Sequence, residues 1–256
     1  MKLNNKRVLV TRPNEQADYL SGLITNHGGV SVRFPTVEIQ PLEKTNELVK
    51  FFDEISSYDF IIFISRNAAK IAIEKFVRNI GLIRNIQLVA IGPGTAKVLS
   101  SSNLKDIIFP HNNADSEALL NLEEMQSNKI LDKRILIIRG VGGRELLAEN
   151  LKKRGAIVDC VEIYERKLPA YGESETNRAW YDKKPDAVVV TSNEVINNLI
   201  VLLKNDTEKL FTTPLVTISE RVAEYARKKG FISKICIVRE KSDDGILTSL
   251  IELFED

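Results

Sequence analysis

Six short segments of this 256-residue chain place hydroxyls, glycines and arginines directly after runs of apolar residues. They are Thr11-Arg12-Pro13, Ser65-Arg66-Asn67, Gly92-Pro93-Gly94-Thr95, Arg139-Gly140-Val141-Gly142-Gly143-Arg144, Thr191-Ser192-Asn193 and Ser219-Glu220-Arg221. Turns of this composition at helix starts present free backbone N–H groups at the positive end of a dipole, and arginine adds a fixed charge. Such a set suits carboxylates or phosphates. Taken singly, each turn reads more simply as an N-cap, since Ser, Thr and Asn cap helices for structural reasons alone.

Other chemistries find less support. Gly140-Val141-Gly142-Gly143-Arg144-Glu145 is half of a dinucleotide fingerprint, but Glu145 replaces the third glycine, and a carboxylate there repels pyrophosphate. The two histidines, His27 and His111, are far apart and lack partners at metal-ligand spacing, so no metal and no cofactor is expected. No nucleophile lies in an elbow context. Asp59 and Asp186 start their strands, where a phosphoryl-accepting aspartate would have to end one. Tyr164 stands apart: in an extended, proline-flanked segment it could donate a proton through its hydroxyl, or it could simply pack as a linker aromatic.

The elements that must position these groups alternate regularly. Strands are expected at Val8–Val10, Val30–Phe34, 59–64, 87–91 and 105–109, then at 134–138, 157–161, 186–190, 214–218 and 234–238. Helical periodicity lies between them, clearest over 14–26, where Ala17, Leu20, Leu23 and Ile24 share a face and His27 closes the helix. Continuous Val/Ile runs suit strands buried on both faces, so the fold class is α/β, with flavodoxin-like, doubly wound parallel sheets covered by helices. The length favours two domains.

A balance of 36 basic against 35 acidic side chains offers no broad field for nucleic acid or an anionic membrane. No apolar run approaches the roughly 20 residues that span a bilayer. The first residues lead into a strand rather than a signal peptide. Cys160 and Cys236 fall in strands and read as buried, reduced thiols, so cytoplasmic residence is expected.

The chain also nearly repeats itself at a spacing of 127. Arg7-Val8-Leu9-Val10 answers Arg134-Ile135-Leu136-Ile137, Phe60–Ser65 answers Ala187–Ser192, Leu88–Ile91 answers Leu215–Ile218, and Asp115–Leu120 answers Ser242–Leu247. A duplicated α/β unit is implied. The copies differ where Val37 answers Tyr164 and where Val222 answers Thr95.

Together these residues resemble the uroporphyrinogen-III synthase family along essentially the whole chain. The resemblance is carried by Val8-Leu9-Val10-Thr11-Arg12-Pro13, Phe63-Ile64-Ser65-Arg66-Asn67-Ala68, Ala90-Ile91-Gly92-Pro93-Gly94-Thr95-Ala96, Asp115–Leu120, Ile138-Arg139-Gly140 and Tyr164-Glu165, in that order. It implies two lobes, 1–36 with 168–256 and 41–163, joined by a two-stranded linker at about 37–40 and 164–167, with a cleft between them. It also implies a cofactor-independent cyclising lyase, a monomer whose substrate is hydroxymethylbilane, which the preceding enzyme of tetrapyrrole biosynthesis could hand over. Tyr164 would then assist departure of the substrate hydroxyl. Thr11, Arg12, Ser65, Asn67, Gly92, Thr95, Ser116, Arg139, Gly140, Arg144, Thr191, Ser192 and Ser219 would hold carboxylates, largely through main-chain N–H groups. The alternative is a two-lobed, cytoplasmic small-anion sensor without catalysis, which fold alone does not exclude.

Overall fold

Among the described residues, ten strands pair into two five-stranded sheets. The strands are β1 (Arg7–Val10), β2 (Val30–Arg33), β3 (Glu38–Pro41), β4 (Phe60–Phe63), β5 (Gln87–Ala90), β6 (Arg134–Gly140), β7 (Ile157–Lys167), β8 (Ala187–Val190), β9 (Leu215–Thr217) and β10 (Ile235–Ile237). This computed structural model describes residues 2–255 except positions 44, 77–79, 84, 113, 144 and 183. The chain divides into two compact units, Met1–Glu38 with Lys167–Asp256, and Ile39–Arg166.

In the first unit the strand order is β10-β9-β8-β1-β2; in the second it is β3-β7-β6-β4-β5. Pairings β1–β2, β1–β8, β8–β9 and β9–β10 are parallel, as are β4–β5, β4–β6 and β6–β7. The apolar runs are continuous because both faces of each sheet are covered. Leu9, Val188 and Leu215 enter one cluster of the first unit, while their neighbours Val8, Val189 and Val216 enter the other. In the second unit Ile61, Leu88 and Leu136 divide from Ile62, Val89 and Ile135 in the same way. Strands with two buried faces need helices on both sides, which the crossovers between parallel strands supply.

The two sheets share their register. Arg7 faces Val30, as Arg134 faces Ile157. Val8 faces Ala187, as Ile135 faces Phe60. Val188 faces Leu215, as Ile61 faces Leu88. In each comparison both partners move by 127 positions. The same spacing relates the contacts that fix the strand starts. Asp186 accepts the Arg7 N–H at 2.8 Å and pairs with Lys6 at 3.1 Å. Asp59 accepts the Arg134 N–H at 2.8 Å and pairs with Lys133 at 2.8 Å. Each aspartate thereby ties the two central strands of its sheet, which is why aspartate opens β4 and β8 rather than ending them.

Three expectations need correction. The run 105–109 is not a strand; only Ile108 bridges, to Val89, because Asp106 takes a left-handed conformation (φ 53°) that interrupts the extended chain. Cys160 and Cys236 form no disulfide and are only half-buried; Cys236 lies on the edge strand β10, and Cys160 on β7, next to the edge strand β3. The strand expected over 157–161 runs on to Lys167, as its ladder with β6 continues to Tyr164.

The Asp59 contacts carry a pH dependence. The hydrogen bond from Lys133, with that from the Arg134 amide, holds the Asp59 carboxyl below the usual carboxylate range. A depressed folded-state pKa contributes stability above the unfolded value, near 4 for aspartate, and loses it as pH falls through the folded value. Asp59→Asn is therefore expected to lower the urea midpoint at pH 7 and to lose its difference from wild type as pH falls through the depressed folded-state value.

Candidate functional site

At the carboxyl end of the second sheet, two distant stretches of sequence, at Ser65 and at Gly140, converge on Tyr164. Ser65 follows β4 in an extended conformation (φ −164°, ψ 160°), so its side chain can turn back over the helix Arg66–Ile71 and accept the Ala68 N–H at 2.9 Å. The same oxygen lies 3.0 Å from the Tyr164 hydroxyl. Tyr164 reaches it because the ladder between β6 and β7 shifts there: Arg139 faces Glu162, but Gly140 faces Tyr164, leaving Ile163 as the extra residue. The Tyr164 ring, 3% exposed, passes directly over Gly140, where a Cβ would lie 2.5 Å from Cζ. Gly140 is thus required by ring packing, and its neighbour Val141 donates to the Tyr164 carbonyl at 2.8 Å.

Around this centre the other expected positions of the second unit take distinct roles. Gly92 precedes the helix Pro93–Ser101, and a Cβ there would lie 2.4 Å from the Ala114 Cβ, so close approach rather than backbone freedom selects glycine. Thr95 is buried and its amide donates to the Gly92 carbonyl at 3.1 Å. Asn67 is half-buried in the first turn after Ser65. Ser116 opens the helix Ser116–Leu120 without capping it; the cap is Asp115, which accepts the Ala118 N–H at 2.7 Å. Ser116 instead lines a cavity of about 360 Å³ together with Arg139. Arg144 lies outside the described residues.

Arg139 is 12% exposed and holds two carboxylates on one nitrogen, Glu145 at 2.7 Å and Glu162 at 3.4 Å. Burial opposes its charge, yet these partners, Glu145 first, keep its pKa above the ordinary value. Glu145 is held below the carboxylate range in return. The Arg139 Nε is buried with no partner.

In the first unit Thr11 is fully buried and its hydroxyl donates to the Val189 carbonyl at 2.6 Å, so that side chain joins β1 to β8. Arg12 forms an ion pair with Asp243, the first residue of the helix Asp243–Glu255. Ser192 caps the helix Asn193–Leu202 by accepting the Val195 N–H at 3.2 Å, beside a half-buried Thr191. Ser219 precedes the helix Glu220–Lys229 without a side-chain cap bond. Asp115 and Ser242, like Ser65 and Ser192, are equivalents at a spacing of 127, and Ser242 accepts the Gly245 N–H at 3.0 Å.

The structure therefore brings together Ser65, Gly140 and Tyr164 in one unit, and separately Arg139 and Ser116. Sequence reasoning missed the partners: Asp243 for Arg12, Glu145 and Glu162 for Arg139, and Asp115 as the cap. The spacing of 127 could have exposed the first, because Ser116 and Asp243 are equivalents. Away from this centre, burial and the Asp159 carboxylate push Tyr58 up to about 12, and burial chiefly does the same for Tyr171.

Gly140→Ala is expected to displace the Tyr164 ring, costing about 1–3 kcal/mol of stability as overpacking does. A urea melt measures this. A loss below about 0.5 kcal/mol would show that the ring moves freely.

A family model described as uroporphyrinogen-III synthase HemD matches residues 18–247. The uroporphyrinogen-III synthase of Escherichia coli K12 is 31% identical over 246 residues, covering 95% of this chain and 99% of the relative. That of Salmonella typhimurium LT2 is 32% identical, with 95% and 99% covered. Among solved structures, the uroporphyrinogen-III synthetase of Helicobacter pylori superposes with a TM-score of 0.64 at 19% identity, covering 97% of this chain and 99% of that one, a likeness of fold. The chain belongs to the uroporphyrinogen-III synthase family.

Proposed function

We propose that this chain converts hydroxymethylbilane into uroporphyrinogen III as a cyclising lyase that needs no cofactor. The linear tetrapyrrole carries eight carboxylates. Loss of its ring-A hydroxyl as water gives an electrophilic azafulvene, and attack from the substituted position of ring D gives a spiro intermediate. Fragmentation and reclosure then invert that ring. Without enzyme the unsubstituted position closes instead and gives isomer I, so the protein's main task is to orient the chain.

The observation that carries this reading is that motif segments of the second unit meet at its strand ends, with the Tyr164 ring over Gly140 and its hydroxyl in hydrogen-bond contact with Ser65. Ser65 already accepts the Ala68 N–H, and its own proton can be given to the Tyr164 oxygen. The phenolic proton is then available to the departing hydroxyl, which leaves as water. Carboxylate arms are taken by the backbone N–H groups of the turns at Thr11-Arg12, Gly92–Thr95, Thr191-Ser192 and Ser219, and by Arg139 with Ser116. Asn67, Gly140 and Arg144 complete the proposed set. We assign the protein to the cytoplasm as a monomer that receives its substrate from the preceding enzyme; among the described residues no helix is long and apolar enough to cross a membrane.

Purified protein given hydroxymethylbilane is expected to yield isomer III on chromatographic separation; isomer I alone, at the uncatalysed rate, rejects the proposal. Tyr164→Phe removes the proton but keeps the ring over Gly140, and turnover is expected to fall by roughly 10²–10⁴-fold with little loss of stability. Near-normal isomer III formation by that variant removes Tyr164 from the mechanism while leaving the overall reaction in place.

A further inference from the structure

One carboxylate of the second unit has two partners that its equivalent in the first cannot hold. Glu162 is 35% exposed, and one of its oxygens, Oε1, accepts the Gly142 N–H at 3.3 Å and lies 3.4 Å from Arg139 Nη2. Its equivalent at a spacing of 127 is Pro35, which has no side-chain acceptor. The equivalent of Tyr164 is Val37. The carboxylate and the phenol are therefore both confined to the second copy, two residues apart on β7.

The place of Glu162 in the ladder explains what its side chain is for. Glu162 faces Arg139 on the last regular rung, and Ile163 is the extra residue before Gly140 faces Tyr164. The Ile163 carbonyl turns to the β3 side, where it accepts the Leu42 N–H at 2.9 Å. Past the bulge, the turn after β6 meets β7 through the Val141 N–H on the Tyr164 carbonyl and through the Gly142 N–H on Glu162. Gly142 is left-handed (φ 74°), and a Cβ there would meet nothing within 4 Å, so hydrogen bonds rather than packing hold the turn at that residue. On its other side the turn lies against Arg139: a Cβ at Gly143 would be 3.0 Å from the Arg139 Cδ, and Glu162 and Glu145 hold the guanidinium. Through Gly142 and Arg139, then, Glu162 fixes a short turn that starts at Gly140, the floor under the Tyr164 ring.

We infer that Glu162 is a positioning residue of the proposed reaction. It touches no reacting atom, but it holds the turn beneath Tyr164 and so keeps the phenol in contact with Ser65, 3.0 Å away. The inference rests on the role given to Tyr164 above. An amide in place of the carboxylate keeps an oxygen for the Gly142 N–H and gives up the charge toward Arg139, whereas a methyl group keeps neither.

Glu162→Ala and Glu162→Gln separate these cases. E162A is expected to lower kcat for isomer III formation by about tenfold or more with KM within about threefold, and E162Q to keep at least about a third of the wild-type kcat. In the Tyr164→Phe background, E162A is expected to lower kcat by less than about twofold further, since a residue acting through the phenol then has nothing to position. Without substrate, the Val141 amide of E162A is expected to exchange with deuterium at least about tenfold faster than in wild type, with the urea midpoint little changed. An unchanged kcat or a rise in KM alone in E162A, an E162Q no better than E162A, a full second loss in the Y164F background, an unchanged Val141 exchange rate, or a chain that no longer folds each overturns the inference. Near-normal isomer III formation by Y164F rejects the role of Tyr164 and this one with it, and a wild-type protein that forms no isomer III rejects the reaction. The exchange rate is read without turnover, so it decides in either case whether Glu162 holds the turn.

Discussion

Everything in this protein depends on parallel strands that are buried on both faces. A parallel pair cannot be closed by a tight turn, so each connection must leave the sheet, cross as a helix and return. The crossings deliver helix starts to one end of each sheet, and that end is where Ser65, Gly92, Ser192 and Ser219 lie. The opposite end is held by Asp59 and Asp186, each of which ties a lysine and a backbone amide of the neighbouring strand. The strand starts are thus fixed by the two aspartates, while the strand ends carry the turns of the candidate site together with the Arg12–Asp243 and Arg139–Glu145 pairs.

Much of this architecture is legible in the sequence, for identifiable reasons. The helix Asn14–Asn26 shows because Ala17, Leu20 and Ile24 recur at helical period and are fully buried. The strands show because two buried faces require unbroken apolar runs. What is not legible depends on single backbone dihedrals or on distant partners. The left-handed Asp106 ends a run that reads as a strand by composition. The extra residue Ile163, which turns Tyr164 onto Gly140, leaves no mark in local periodicity. Arg12 and Asp243 are 231 positions apart, and only the sheet order brings them together.

The candidate site was partly visible in the same sense. Residue types at the strand ends indicated anion binding, but not which hydroxyls are free. The Thr11 hydroxyl is spent on Val189, and Ser65 and Ser192 are spent partly on caps, so any contribution from these turns falls mainly to their backbone amides. Near-symmetry makes the exceptions informative. The units agree in register and in their capping bonds, then differ at Tyr164 against Val37 and at Ser116 against Asp243. A reaction that inverts one ring of four needs such inequality.

The strand order also dictates how the chain can fold as it is made. The first sheet draws β1 and β2 from the start of the chain and β8, β9 and β10 from its last third, whereas every strand of the second lies between residues 38 and 167. On the ribosome, then, the later-starting sheet is the first to be complete. β1 and β2 can pair with each other, but the other edge of β1 has no partner until β8 emerges. Of the ten strands, the two made first wait longest for their sheet, and during that interval the open edge of β1 is the edge most in need of protection from aggregation.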